Sequence, residues 1–467
     1  MNINSDSNHN IQNDKDENLE QLENNLSISK ELYNAMKNLN IDELTINENI
    51  NNIVKEIYSE NIEEKFRGLI CLNKLLTKEE KVINQQIIDL QIIPNLIAFL
   101  GNYPNEIINE ALCCLIYLSN RTFEQSMTII LYGGINKIIP LIDSKIEELK
   151  INSILFFKNL LNDSDKIRKI LLDKGVFDKI LEVISFENNQ QLLENLFSAL
   201  SKFFSTKLIQ SYEKVHKSFE IIGTKIVDNN YSNIGILTNA LTIFIYYTDT
   251  FPDRLDDFSE IKLIEKIIGF LDKNDNNIIT KSLYIINRFS EGSDKQTQII
   301  LDYNVLDKLK KTLFYEGNIS LDTGWILSNI ACGTQKQKET LFQQNFLQML
   351  IKSFNENVNK KPSLFALCNL TTIIDKNSEY LQKLMNEGII KVLFKGLKIE
   401  DRECLLISLE AFDEILNFGK KMHPTIKNPF SILMKKMEII PILENLKLSS
   451  DESIRKKVLY LMNEFFN

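Results

Sequence analysis

One phrase recurs down this chain. IIDLQIIPNLIAFL, IILYGGINKIIPLI, ILLDKGVFDKILEVI, IILDYNVLDKLKKTL, TLFQQNFLQMLIKSF and LMNEGIIKVLFKGL each run from an apolar helix end, through a turn, into a second apolar segment. Repetition at a fixed period restricts the fold more than local propensity does. A unit too small to bury its own apolar face must bury it against the next copy. The period can be followed through one position: Tyr117, Asn159, Lys202, Tyr246, Arg288, Asn329 and Asn369. The successive steps are 42, 43, 44, 42, 41 and 40 residues.

The units are helical. Only 15 Gly and 8 Pro are spread over 467 residues, too few for hairpins or a loop-rich fold. Gly stands in the turn of the second, third and sixth copies, where one helix must stop and the chain must reverse. Helical units of about 40–47 residues are those of armadillo and HEAT proteins. The pattern predicts an all-α, right-handed α-solenoid of armadillo repeats, about ten in number, with the third helix of each unit lining a concave surface. The solenoid is expected over residues 49–467. Residues 1–48 are rich in Asn, Asp and Glu, with Lys15, Lys30 and Lys37 as their only Lys or Arg, and read as an acidic disordered tail.

Charge and composition remove several functions. A formal net charge of −9 does not suit a phosphate backbone or an anionic membrane as the main partner, and suits a basic ligand if the acids gather on one surface. No apolar run approaches the roughly 20 residues of a membrane span, and the N-terminus lacks a basic region followed by an apolar one. The expectation is a protein of the cytoplasm and nucleus, without membrane insertion or direct nucleic-acid binding. Cys71, Cys113, Cys114, Cys332, Cys368 and Cys404 sit in apolar helical runs without a C-x-x-C pair, and read as reduced, buried packing residues. His9, His216 and His423 are scattered, so no metal site and no cofactor is expected. Phosphate loops, G-x-S-x-G and H-E-x-x-H are missing, and the chain does not read as an enzyme.

One pair of side chains points to a ligand. Trp325, the chain's only Trp, and Asn329 are four residues apart and share a helical face. An indole can hold the apolar stem of a long cation, and a carboxamide can clamp an extended backbone through its donor and its acceptor.

TGWILSNIACGTQKQ resembles the importin-α unit that reads Trp, three residues, Asn, then a small-residue turn with Gly and Gln. SNRTFEQSMTIILYGG, ITKSLYIINRFSEG and SEGSDKQTQIILD resemble other units of that family, in order, from about Ile50 to Phe466. The resemblance implies an adaptor that binds Lys/Arg-rich nuclear localisation signals of cargo proteins for nuclear import, with importin-β or another protein as a further partner. It also implies the peptide-binding residues. In the sixth to eighth repeats these are Asp294, Thr297, Trp325, Asn329, Phe365 and Asn369; in the main groove of the second to fourth repeats they are Asn159 and Asp163. The chain departs from the family elsewhere. The main-groove pairs read Cys113/Tyr117, Leu155/Asn159 and Ser198/Lys202, without Trp. Arg288 replaces an Asn, and if unpaired it would oppose a cationic ligand by about a kcal/mol. Residues 1–48 are acidic where the family carries a basic importin-β-binding segment. These departures leave an interaction scaffold without import function as the alternative.

Overall fold

The computed structural model describes residues 46–466, apart from 78–86, 88–89, 206–207, 210, 357–359, 373–377, 423 and 425–426. The acidic tail, up to residue 45, therefore lies outside the described residues, as do His9 and His423. Among the described residues every regular element is a helix, in the all-α armadillo-repeat architecture that the period predicts. The chain packs as two units, Met1–Ile222 and Gly223–Asn467.

One copy shows the plan. A short first helix, Asp165–Asp173, leads into a second helix, Val176–Phe186, and then into a longer third helix, Gln190–Phe203. The first helix starts where a Ser or Thr can cap it. The Ser164 hydroxyl accepts the Ile167 N–H at 3.4 Å, and Thr122 does the same for Gln125 at 3.2 Å in the copy before. Ser293 and Thr334 form full capping boxes with Gln296 and Gln337.

The turn between first and second helices needs one left-handed residue. Gly133, Gly175 and Gly388 supply it at φ 84°, 82° and 83°, as the Gly positions predict. In five further copies a residue with a Cβ takes the same conformation: Gln91, Lys262, Asn304, Asn345 and Glu438. The geometry belongs to the repeat, and glycine is only its easiest occupant. After Gln91 the helix runs Ile92–Phe99, with Pro94 inside its first turn.

The third helices do most of the packing. In chain order they are α1 (Ile62–Leu76), α2 (Asn105–Leu118), α3 (Glu147–Asp163), α4 (Gln190–Phe203), α5 (Ile234–Thr250), α6 (Asn276–Glu291), α7 (Asn318–Cys332), α8 (Lys360–Thr371), α9 (Arg402–Met422) and α10 (Glu452–Leu461). In the first unit α1 to α4 each pack on the next. In the second unit α5 to α10 do the same, α7 and α8 most extensively. Large side chains fill the space behind them: Phe156, Phe157, Phe177, Phe197 and Phe203 in the first unit, and Phe244, Tyr247, Phe258, Phe289 and Phe346 in the second, all fully buried. Burying one such side chain is worth about 1.5–3 kcal/mol, as is each of the many Ile and Leu side chains buried with them.

Cysteine burial is only partly as expected. Cys114, Cys368 and Cys404 are buried, Cys71 and Cys113 are half-buried, and Cys332 is exposed. Cys332, the last residue of α7, follows the buried Ile330 and Ala331 and falls on the same helical face as Trp325 and Asn329.

Polar ties join each repeat to the next. Asn152 Nδ2 donates to Asn109 Oδ1 at 2.8 Å, and Lys150 meets Glu187 at 3.3 Å in the first unit. In the second, Lys361 meets Asp401 at 3.0 Å and Glu403 at 2.7 Å, Arg402 meets Asp451 at 2.6 Å, and Lys457 meets Asp413 at 2.6 Å. Lys457 is thus held against α9. Asp401 also accepts the Cys404 N–H at 2.9 Å. That bond first, and the Lys361 ammonium second, hold its carboxyl at about 2.

The left-handed turn makes two glycines behave oppositely. A Cβ built on Gly175 meets nothing within 4 Å, so Gly175→Ala should lose about 1–2 kcal/mol from backbone conformation alone. Gly269 has the same open surroundings at φ −61°, and Gly269→Ala should gain about 0.5–1 kcal/mol. Urea denaturation of both variants checks the sign. Asp401 gives a pH dependence. Its folded pKa lies below its unfolded one, so its charge stabilises fully above the ordinary carboxylate range and less as pH falls toward 2. Asp401→Asn keeps the cap and loses the charge. The stability gap between wild type and this variant should be present at neutral pH and shrink below about pH 4; a gap that stays constant down to pH 3 would contradict the assignment.

Candidate functional site

The site follows from what α7 buries. Ile319, Thr323, Ile326, Leu327, Ile330 and Ala331 turn inward. Leu321, Trp325 and Asn329, one turn apart, are left on the other face, and Trp325 and Asn329 are half-buried. In α8 the same row holds Lys361, Phe365 and Asn369, also half-buried. The buried face of α7 is rich in small side chains, Ser320, Thr323, Gly324 and Ser328, which let α8 come close. The two rows meet as a result: the rings of Trp325 and Phe365 touch edge to face, with centroids 5.5 Å apart.

The carboxamides are fixed from behind. Asn329 Nδ2 donates to Asn287 Oδ1 at 3.3 Å and to Ser290 Oγ at 3.1 Å, both on α6. Asn369 Nδ2 donates to the Ser328 carbonyl of α7 at 3.2 Å. In the first unit Asn159 Nδ2 donates to the Ile116 carbonyl of α2 at 3.2 Å. In each case the amide nitrogen is tied to the preceding repeat. That tie sets the carboxamide rotamer and leaves its oxygen for another donor.

On α6, Arg288 does not stand unpaired as its sequence position suggests. Its guanidinium lies over the Tyr284 ring, 4.8 Å from the centroid, and donates to the Tyr284 hydroxyl at 2.6 Å. It pairs with Asp249 at 3.2 Å and Glu291 at 2.7 Å. Glu291 also accepts Asn287 Nδ2 at 2.7 Å, so one polar chain runs from Arg288 through Glu291 and Asn287 to Asn329. On α8, the Lys361 ammonium lies 6.0 Å from the Phe365 centroid and is held by Asp401 and Glu403, whose bonds raise its pKa.

Asp322 lies one turn before Trp325 on α7 and makes no ion pair among the described residues. It is half-buried, and burial pushes its carboxyl up. A carboxyl beside an indole with no cation of its own is a place where a ligand cation lowers the cost of burial. Sequence reading missed Asp322, although its spacing of three from Trp325 was visible. It also missed Lys361, whose partner Asp401 stands 40 residues on, one repeat later.

The remaining expected residues fall as follows. Trp325, Asn329, Phe365 and Asn369 come together on α7 and α8. Asp294 is exposed in the first turn of the helix Asp294–Asp302, and its carbonyl accepts Gln337 Nε2 at 2.8 Å. Thr297 is buried, and its hydroxyl donates to the Phe289 carbonyl at 3.4 Å, so it shapes the turn from inside and does not face a ligand. Asn159 is half-buried and Asp163 exposed on α3, in the other unit. Among the described residues no group of three or more His, Cys, Asp or Glu is placed to hold a metal ion. No helix among them is long and apolar enough to cross a membrane.

Known proteins agree with this architecture. No family model matches the sequence. Importin subunit alpha-3 of Arabidopsis thaliana is 22% identical over 429 residues, covering 90% of this chain and 80% of its own length. Importin subunit alpha-1a of Oryza sativa subsp. japonica is 22% identical over 417 residues, covering 88% and 78%. Importin subunit alpha-4 of Arabidopsis thaliana is 23% identical over 426 residues, covering 90% and 79%. The crystal structure of an engineered protein superposes with a TM-score of 0.69 at 16% identity, over 90% of this chain and 99% of its own. The similarity runs through nearly all repeats in order and coincides with the repeat plan seen here, so this chain is a divergent importin-α-like armadillo-repeat protein.

Proposed function

We propose that the face formed by α7 and α8 holds an extended, basic segment of a partner protein, and that the chain serves as a nuclear-import adaptor moving between cytoplasm and nucleus. The observation that carries this reading is the half-buried pair Trp325/Asn329, its carboxamide pinned by Asn287 and Ser290 of α6. A preset carboxamide meets a peptide backbone at little entropic cost. The indole covers the stem of a Lys or Arg, and Asp322 receives its charge. Asn369 repeats the backbone clamp one helix on, and Asp294 adds negative potential from its exposed turn.

A second reading is an interaction scaffold that has left import behind. The first unit favours it. Its wall carries Tyr117, Asn159 and Lys202 in the carboxamide row, and Cys113, Leu155 and Ser198 in the indole row, so only Asn159 with Asp163 is left for a peptide there. The two readings differ in the partner: importin-β together with basic cargo segments for the adaptor, and segments without basic character for the scaffold.

Trp325 makes the test direct, because as the only Trp it alone supplies the indole emission. Titration with a lysine-bearing peptide should shift that emission in a saturable way, and affinity should fall as salt rises. Trp325→Ala and Asn329→Ala, followed by anisotropy of a labelled peptide, should each weaken binding by roughly tenfold, the size of a lost cation–π contact or clamp hydrogen bond. Unchanged affinity in both variants rejects the site.

A further inference from the structure

Two of the chain's own cations stand on α6 and α8, the helices that pack on α7, each in the same kind of setting. Arg288 lies over Tyr284 and is held by two carboxylates, Asp249 and Glu291. Lys361 lies by Phe365 and is held by two carboxylates, Asp401 and Glu403. An aromatic ring with two acids is what a face for basic peptides offers a ligand cation. Both places are contiguous with the central one. The Arg288 cluster joins Asn329 through Glu291 and Asn287, and the Phe365 ring touches Trp325. On α7 itself stands Asp322, whose carboxyl has no ion pair among the described residues.

We infer that Arg288 and Lys361 are specificity-determining residues. They occupy from within the two subsites beside Trp325, so this face takes a segment with one basic anchor and not a run of them. This rests on the reading of α7 and α8 as a peptide-binding face and narrows it. Each built-in cation is paired with two acids, which leaves its cluster with a net charge of −1, so further basic residues on the ligand are not repelled. They simply find no vacant acid and no vacant ring. The anchor's charge goes to Asp322 and its stem to Trp325.

The test uses the full chain, its Arg288→Gln/Lys361→Gln variant, and two probes. One is a short Ala/Ser peptide with a single central lysine. The other is the same peptide with lysines added on both sides. Wild type should bind both with affinities within about threefold, whereas the double variant should bind the many-lysine probe at least tenfold better than the single-lysine probe, about 1.4 kcal/mol. Arg288→Lys and Lys361→Arg keep the charges and should keep the wild-type preference. Asp322→Asn should weaken the single-lysine probe. Thermal melting confirms that each variant is folded. If folded wild type already prefers the many-lysine probe by tenfold, or if the double variant leaves the preference unchanged, the inference fails while the peptide-binding face stands. If neither protein binds either probe, both fail.

Discussion

The structure depends on apolar area shared between successive third helices. A repeat of roughly forty residues cannot enclose a core by itself, and the third helices pack on one another along each unit. The polar ties are secondary in energy. Lys361–Asp401 and Arg402–Asp451 are partly exposed, and such pairs are worth about 0–1 kcal/mol. Their use is in register: a carboxamide or ammonium that must reach a named atom one copy away admits a single alignment of the two helices.

The candidate site is what remains after those helices have buried all they can. Small residues on the inner face of α7 bring α8 close, and that closeness presses Phe365 against Trp325. The bond that aligns α7 on α6 is the same bond that presets Asn329. Stability and recognition therefore draw on one contact. Across this face Asp249 and Glu291 share Arg288, Asp401 and Glu403 share Lys361, and Asp322 makes no ion pair among the described residues.

Much of the fold was legible because its cause is periodic. The repeat length, the glycine turns and the all-helical composition each follow from a sequence pattern that the structure reproduces. Of the five left-handed turns without glycine, three were not legible, because Gln91, Lys262 and Glu438 carry no local signal for positive φ and adopt it between two anchored helices. For the site, helical spacing placed Trp325 with Asn329 and Phe365 with Asn369. It did not show that Thr297 turns inward onto the Phe289 carbonyl, or that Arg288 is paired with Asp249, which stands one repeat away. Linear spacing describes a face well and describes its partners across the stack poorly.

Within either unit, each copy's polar ties reach only the adjoining copy. Arg402 to Asp451 and Asn159 to Ile116 are each a single step along the series. Such a chain has a modular ancestry open to it that an interleaved core forbids. A whole copy can be duplicated or excised, and only the two newly abutting surfaces must adapt, while the remaining copies keep their neighbours and their geometry. Divergence in one half of the series can then run far ahead of divergence in the other without unfolding either.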